Sequence, residues 1–377
     1  MKKRILHVNI DNNGGNGAFA LVMYLYSNLK SDYIFDFYTM GKFIESKELE
    51  NIEKLGGKVY SADLRKNKFL GHLKLPFKFK NCIKRNNYDT VHIHSEVAYK
   101  VFLYVLGARL AGVKRIIIHA HSSKIDGNYV LIKKIAHNLT KKAICKQGTD
   151  FLAISEDAAN WLFTKDVIND KQHFNYLTNG ISPQNYCFNE ETRRRMRQQF
   201  NIADDVILIG HVGALKKVKN QSFLIEIMYN LKNSDVNTKL MLVGEGEDRK
   251  KLEQKIEQLG LLNDVLLLGT RSDVSDLMQA FDILVFPSFF EGVPMTLIEA
   301  QCIGMPIIAS DTIQNTIKVN NNVKFESLNK GIEYWCQIIK DNIDSHIYTK
   351  GFENVYDSKY NIKSSAKKLA SIYSGKK

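Results

Sequence analysis

ILVFPSFFEGVPMTLIEAQCIGMPIIAS, residues 283–310, holds the pattern from which the rest of the chain can be read. Residues 283–286 and 306–309 are short apolar runs without polar alternation, as expected of parallel strands covered on both faces. Between them a loop carries Glu291 and Gly292, Pro294 suits the first turn of a helix, and Glu299 lies inside that helix. A strand, a helix and a second strand in this order imply a parallel sheet with a right-handed crossover.

Working outward, the same alternation recurs. Strands are expected at 4–9, 35–38, 58–61, 90–94, 115–119 and 151–154, then at 206–212, 239–243, 265–268, 283–286 and 306–309. Helical patterns fall between them, as at 220–230, 248–259 and 274–280. The join at 179–192, NGISPQNYCFNEET, is rich in turn formers and has no periodicity. The expected fold class is therefore α/β, with two Rossmann-like parallel-sheet domains of nearly equal size.

A chain of 377 residues is long enough for two such domains. Cys82, Cys145, Cys187, Cys302 and Cys336 are scattered, odd in number and never in C-x-x-C pairs. That argues against a disulfide framework or a structural zinc site and suits a reducing compartment. The first apolar run, residues 5–10, contains His7 and Asn9, and a secretory signal needs roughly 7–15 apolar residues. The stretch 97–113 carries Lys100 and Arg109, and a bilayer span needs about 20 apolar residues. A cytoplasmic chain, at most peripheral to a membrane, is expected.

Charge is unevenly placed. Residues 1–180 hold 28 Lys/Arg against 16 Asp/Glu, whereas residues 181–377 hold 25 against 24. A basic half suits phosphorylated substrates, anionic lipid or nucleic acid. The segment 64–86 has eight Lys/Arg and no acid, with Phe69, Leu70, Leu73, Leu75, Phe77 and Phe79 interleaved, and 132–146 is again free of acid. No helix-turn-helix or RRM signature accompanies them. The expected target is an anionic membrane surface, the inner face of the cell membrane, met by Lys74, Lys78, Lys80 and Lys84; nucleic acid is not expected.

Ligands of open α/β sheets bind beyond the carboxyl ends of the strands. This rule puts Glu291 at such a crevice, beside the free N–H groups of a helix start. On spacing alone, a loop acid and a solvated helix residue remain the plainer readings of Glu291 and Glu299. In HVGALKKVKNQSFLIEI, 211–227, Lys219 precedes a helix and suits a diphosphate clamp, or is a surface lysine. In NIDNNGGNGA, 9–18, Gly14, Gly15 and Gly17 allow backbone N–H groups to approach phosphate. The G-x-G-x-x-G fingerprint is absent, which lowers the NAD(P) reading. RIIIHAHSS, 115–123, holds His119 and His121 at a strand end, and with no third ligand at a convincing spacing a metal site is not expected. Each is a hydrogen-bond donor at the crevice or a core histidine.

Taken together these segments resemble the retaining GT-B glycosyltransferases, family 4 above all. The E-x7-E motif is Glu291 and Glu299, within P-S-x-x-E-G-x-P-x-x-x-I-E-A-Q and followed by G-x-P-x-x-x-S-D through Asp311. VHIHS at 91–95, FLAISE at 151–156, NGI at 179–181, GEG at 244–246 and GTRSDV at 269–274 extend the match over almost the whole chain. The resemblance implies two domains facing across a cleft: an acceptor-binding domain at 1–182 and a nucleotide-sugar-binding domain at 183–357. A helix at 358–377 would cross back to the first. It implies retaining transfer of a hexose or N-acetylhexosamine from a nucleotide diphosphate sugar, UDP-sugar being expected. The acceptor would be lipid-linked or a polysaccharide, as for bacterial capsule and exopolysaccharide enzymes.

By the same resemblance, Glu291 holds the sugar hydroxyls, with Gly292 and Val293 beside it, and Glu299 the ribose hydroxyls. Lys219 binds the diphosphate, Arg271 the base or diphosphate, and the Gly15 loop faces the donor. His121, ahead of His119, meets the sugar or the departing phosphate. Ala214 stands where the family has arginine, with Lys216 and Lys217 nearby. No D-x-D triplet is present, so neither a metal nor any other cofactor is expected. Two other readings stay open: a nucleotide-sugar-binding protein or partner subunit without turnover, and a sugar-nucleotide epimerase.

Overall fold

The structure, a computed structural model, describes residues 2–10, 17–41, 46–64, 68–95, 97–121, 130–232, 234, 236–343 and 351–375. The chain forms two compact units, Met1–Gly180 with Ile362–Lys377, and Ile181–Asn361.

In the first unit the strands are β1 (Lys3–Val8), β2 (Tyr33–Thr39), β3 (Val59–Ser61), β4 (Thr90–Ser95), β5 (Arg115–Ala120), β6 (Asp150–Ala153) and β7 (Phe174–Tyr176). They form one parallel sheet in the order β3-β2-β1-β4-β5-β6-β7. Its helices are α1 (Gly17–Leu29), α2 (Ser46–Lys54), α3 (Lys68–Asn86), α4 (Ala98–Ala111), α5 (Val130–Gln147), α6 (Glu156–Leu162) and α7 (Lys165–Asn169). Because successive strand residues point to opposite faces, Val91, Ile93, Ile116 and Ile118 pack on one side with Leu75 and Phe79 of α3 and Val101 and Tyr104 of α4. Helices α3 and α4 approach closely at Gly107, where a Cβ would sit 2.6 Å from the Pro76 carbonyl oxygen. Only glycine fits that crossing.

In the second unit the strands are β8 (Ile207–Val212), β9 (Thr238–Val243), β10 (Val265–Gly269), β11 (Ile283–Phe286), β12 (Ile307–Ser310) and β13 (Val323–Glu326). They too are parallel, in the order β10-β9-β8-β11-β12-β13. The helices are α8 (Glu190–Gln199), α9 (Gln221–Lys232), α10 (Arg249–Gln258), α11 (Val274–Gln279), α12 (Met295–Ile303), α13 (Gly331–Ile343) and α14 (Gly351–Tyr356). Pro294 is the residue just before α12, and Gly304 ends that helix in the left-handed region at φ 89°. The sheet start is fixed by buried Asp282, on which Arg193 and Arg197 converge and to which Leu208 N–H donates at 2.7 Å.

The last helix, α15 (Ile362–Ser374), belongs to the first unit. Its Leu369 and Tyr373 cover the sheet face opposite α3 and α4, together with Ile5, Phe35, Phe37 and Ile117. All eleven expected strands are present within a residue or two; β7 and β13, both at sheet edges, were not expected. The apolar stretch 97–113 is α4, and no helix among the described residues is long and apolar enough to cross a membrane.

Candidate active site

In the second unit, two loops at the carboxyl edge of the sheet are laced together. After β8 the chain makes a 3-10 turn, Lys217–Lys219, which Asn220 ends in the left-handed region at φ 57°. Asn220 Nδ2 donates to the Pro287 carbonyl at 3.1 Å, and Phe289 N–H donates to the Val218 carbonyl at 2.9 Å. These bonds bring the loops after β8 and β11 side by side. As a result Lys219 Nζ donates to Glu291 Oε1 at 2.7 Å, with the two side chains only 20% and 10% exposed. The same ammonium lies 5.1 Å from the Phe286 ring centre. Beneath it His211 is fully buried, and its Nδ1–H donates to the Val285 carbonyl at 3.0 Å. Burial pushes His211 down to about 4, Lys219 helps, and the Val285 carbonyl opposes. A neutral ring therefore lies under the cation.

Glu299 is half-buried on α12 and accepts from the Tyr186 hydroxyl at 2.8 Å. Burial raises its carboxyl, and the Tyr186 bond pulls the other way. Close backbone packing holds the neighbouring loops: a Cβ at Gly244 or Gly246 would collide with the carbonyl oxygens of Gly213 and Leu215. Gly292 is exposed, with nothing within 4 Å of a Cβ placed there, and Val293 packs on the core. Ala214, Lys216 and Lys217 are exposed. Arg271 spends its fork on Asp273, at 2.9 and 2.7 Å, over the Phe200 ring. Gly15 and Ser122 lie outside the described residues.

In the first unit His119 and His121 do not stand as a pair. His7, His92 and His94 join them on one face at the carboxyl ends of β1, β4 and β5. Burial pushes His7 and His121 down to about 3 and holds His92, His94 and His119 well below the usual range. The sequence offers no third ligand to His119 and His121 at a convincing spacing; the fold brings His94 within reach of both. The signal in the sequence was the H-x-H spacing at 92–94 and again at 119–121, which puts each pair on one face of its strand. Tyr186 and Asn220 were also not singled out; a tyrosine and an asparagine in loops carry no distinguishing pattern.

Helix α3 sorts its mixed lysines and apolar side chains. Leu75 and Phe79 are buried, whereas Leu73 and Phe77 are 59% and 60% exposed. Lys74, Lys78 and Lys84 are exposed and Lys80 is half-buried; Lys78 Nζ donates to the Ala62 carbonyl at 2.7 Å.

Residues 192–331 match the family profile described as "Glycosyl transferases group 1". EpsF of Bacillus subtilis (strain 168), named as a glycosyltransferase, is 32% identical over 342 residues, 90% of this chain and 87% of its own length. An Escherichia coli protein named UDP-Gal:alpha-D-GlcNAc-diphosphoundecaprenol alpha-1,3-galactosyltransferase is 23% identical over 77% of this chain and 76% of its own. Among solved structures, Anabaena Alr3699/HepE in complex with UDP-glucose superposes with a TM-score of 0.73 at 19% identity, over 99% of each chain. That likeness establishes the GT-B fold, with its two Rossmann-like sheets.

Proposed function

The chain belongs to the group 1 glycosyltransferases, and on that premise we propose that it moves a hexose or N-acetylhexosamine from a UDP-sugar to a lipid-linked or polysaccharide acceptor. Transfer proceeds with retention of configuration and serves surface polysaccharide synthesis. The observation that carries this reading is the Lys219–Glu291 contact at the end of β11, with Glu299 on the helix that follows. The E. coli relative is named for a UDP-galactose donor and a lipid diphosphate acceptor, and HepE is described with UDP-glucose. Both fit the chemistry of these residues.

Each group has a task. Lys219 meets the donor diphosphate, whose two negative charges compete with Glu291 for its three N–H donors. Glu291, released in part, accepts from hydroxyls of the transferred sugar, with the Gly292 and Val293 backbone beside it. Glu299 accepts from the ribose hydroxyls. The start of α12 has no side-chain cap, so its first N–H groups are available to phosphate oxygens. Arg271 must leave Asp273 to reach the donor. The second unit is the donor unit and the first the acceptor unit, where His121 donates a hydrogen bond to the sugar or the departing phosphate. The acceptor nucleophile attacks the anomeric carbon, the bond to the UDP oxygen breaks, and the acceptor's proton passes to the leaving phosphate.

We place the work at an anionic membrane surface. Leu73 and Phe77 on α3, and Ile135 and Leu139 on α5, are exposed one helical turn apart beside exposed Lys74, Lys78, Lys134 and Lys142. Rings and aliphatic chains at headgroup level with ammonium groups on lipid phosphates suit that pattern.

Ala214, exposed where the family has arginine, favours a second reading, a nucleotide-sugar-binding protein without turnover. Release of nucleoside diphosphate from a panel of donors with acceptor separates it from the transferase, and an epimer without release marks an epimerase. Glu291→Gln should leave UDP binding nearly intact while lowering kcat by about a hundredfold or more, because bonds to the sugar strengthen in the transition state. A kcat near that of the wild type sinks the assignment.

A further inference from the structure

The histidines of the first sheet do more than the transfer reading needs. Their registers pair His7 with His92 across β1 and β4, and His94 with His119 across β4 and β5. The rings of His119 and His121 are 4.1 Å apart between centres, and those of His94 and His121 are 5.1 Å apart. Imidazole is a poor core filler, because each ring brings two nitrogens that need partners. Partners run out at His119. It is fully buried and neither ring nitrogen is hydrogen-bonded, the Leu177 backbone approaching without completing a bond. His94 Nδ1 meanwhile faces His121 Nε2 at 2.8 Å. One nitrogen from each of His94, His119 and His121 falls within 4.8 Å of the others.

We propose that His94, His119 and His121 bind one divalent transition-metal ion of the zinc class, with a fourth position left to water. Tetrahedral zinc with Zn–N bonds of about 2.0–2.1 Å separates its nitrogen ligands by about 3.4 Å. The 2.8 Å between His94 and His121 has to open by about 0.6 Å to reach that separation. His121 is half-buried and the other two are closed off, so the ion enters from the His121 side.

The surrounding groups accept this ion with one consistent placement of protons. Bound through Nδ1, His94 keeps its proton on Nε2 and donates to His7 Nδ1 at 2.9 Å. His7 then donates from Nε2 toward the Tyr373 oxygen at 3.3 Å, and the Tyr373 hydroxyl donates to His92 Nδ1 at 2.7 Å. A metal-bound imidazole that donates its other N–H to a fixed acceptor is the arrangement that orients such ligands. The proposal stands on residues of the first unit alone; it shares His121 with the proposed sugar chemistry, and its readout needs no turnover.

The test uses untagged full-length protein stripped with chelator and titrated with Co2+. One equivalent should give the visible absorption of tetrahedral cobalt, and Zn2+ should displace it. His119→Gln and His121→Gln should each weaken binding more than tenfold with unchanged far-UV circular dichroism. His7→Phe, which touches no ion, should weaken it about 10–100-fold. His173→Gln, outside the cluster, should change nothing. No saturable cobalt signal, or one that survives both ligand substitutions, overturns the proposal.

Discussion

The two sheets share a plan and differ in what they place at its centre. Each puts β1 or β8 in the middle and grows the same way on both sides, β3-β2-β1-β4-β5-β6 against β10-β9-β8-β11-β12-β13. The two central strands even end alike, in His7-Val8 and His211-Val212. Beyond that point they diverge. In the second unit Gly244 and Gly246 let the backbone pass against Gly213 and Leu215, and Lys219 meets Glu291 ahead of the start of α12. In the first unit five imidazole rings fill the corresponding place, at the ends of β1, β4 and β5. Topology chooses where a parallel sheet can bind something. The side chains decide what: an anionic ligand among cations and helix starts, or a cation among neutral nitrogens.

The largest expected difference between the units is their response to acid. A histidine held neutral by burial stabilises the fold fully above its unfolded value near 6.5. That stability is lost as pH falls below it, because only the unfolded chain takes up the proton. Each group costs about 1.4 kcal/mol per pH unit. The first unit has five such rings in one cluster, His7 and His121 at about 3 and the others held well below the usual histidine range by burial, whereas His211 at about 4 is the one in the second unit among the described residues. With chelator present, acidification from pH 7 toward pH 5 should therefore unfold the first unit first. Trp161 lies in the first unit and Trp335 in the second, so Trp335→Phe and Trp161→Phe proteins report them separately by fluorescence. Coincident transitions would break the comparison.

Charge gives the next contrast. At about 1 kcal/mol per lysine near anionic lipid, replacing Lys74, Lys78, Lys80 and Lys84 by Glu should abolish sedimentation with anionic vesicles, a loss of about a thousandfold. Wild-type binding should weaken between low and moderate salt, and transfer to a short soluble acceptor should survive. A version that keeps Lys78, whose ammonium holds the Ala62 carbonyl, checks that the loss is not unfolding. Wild type that ignores such vesicles yet binds RNA tightly reverses the reading.

Within the second unit, Gly246→Ala forces a methyl group against the Leu215 backbone, which cannot yield as a side chain would. It should cost about 3 kcal/mol and lower the Trp335 transition in denaturant while leaving the Trp161 transition in place. Equal shifts of both would mean that the units do not unfold separately. The smallest effect is expected from Tyr186→Phe, about 1 kcal/mol in UDP affinity. Losing that hydroxyl lets burial raise the Glu299 carboxyl further. The pH at which UDP binding fades on acidification should then move upward in calorimetric titrations. A fixed pH limit would take Glu299 out of the nucleotide site.

How much of this was legible depended on whether the signal was local. The apolar runs that became the inner strands were readable because strands covered on both faces carry no polar alternation. The edge strands β7 and β13, FNY and VKFE, are short and mixed, and only their neighbours make them strands. The alternation of lysine with apolar residues in 64–86 looked like a period of two, but a helix sorts by 3.6. So Leu75 and Phe79 went inward and Leu73 and Phe77 outward. Lys219 and Glu291 are 72 positions apart, and only the family resemblance brought them together in advance. His94 and His121 each sit at a strand end, but nothing local says that β4 and β5 are neighbours.

The position of α15 sets an order of events during synthesis. The second unit is one unbroken stretch, whereas the first needs Leu369 and Tyr373 to cover Ile5, Phe35 and Ile117. As the chain leaves the ribosome at about 5–20 residues per second, the earlier-made sheet, with α1 on this face, waits with the part that α15 covers still bare while the later-made unit is produced and closes. The first unit to be translated is the last to be finished. Its uncovered face, histidines included, is what a chaperone would meet on the nascent chain.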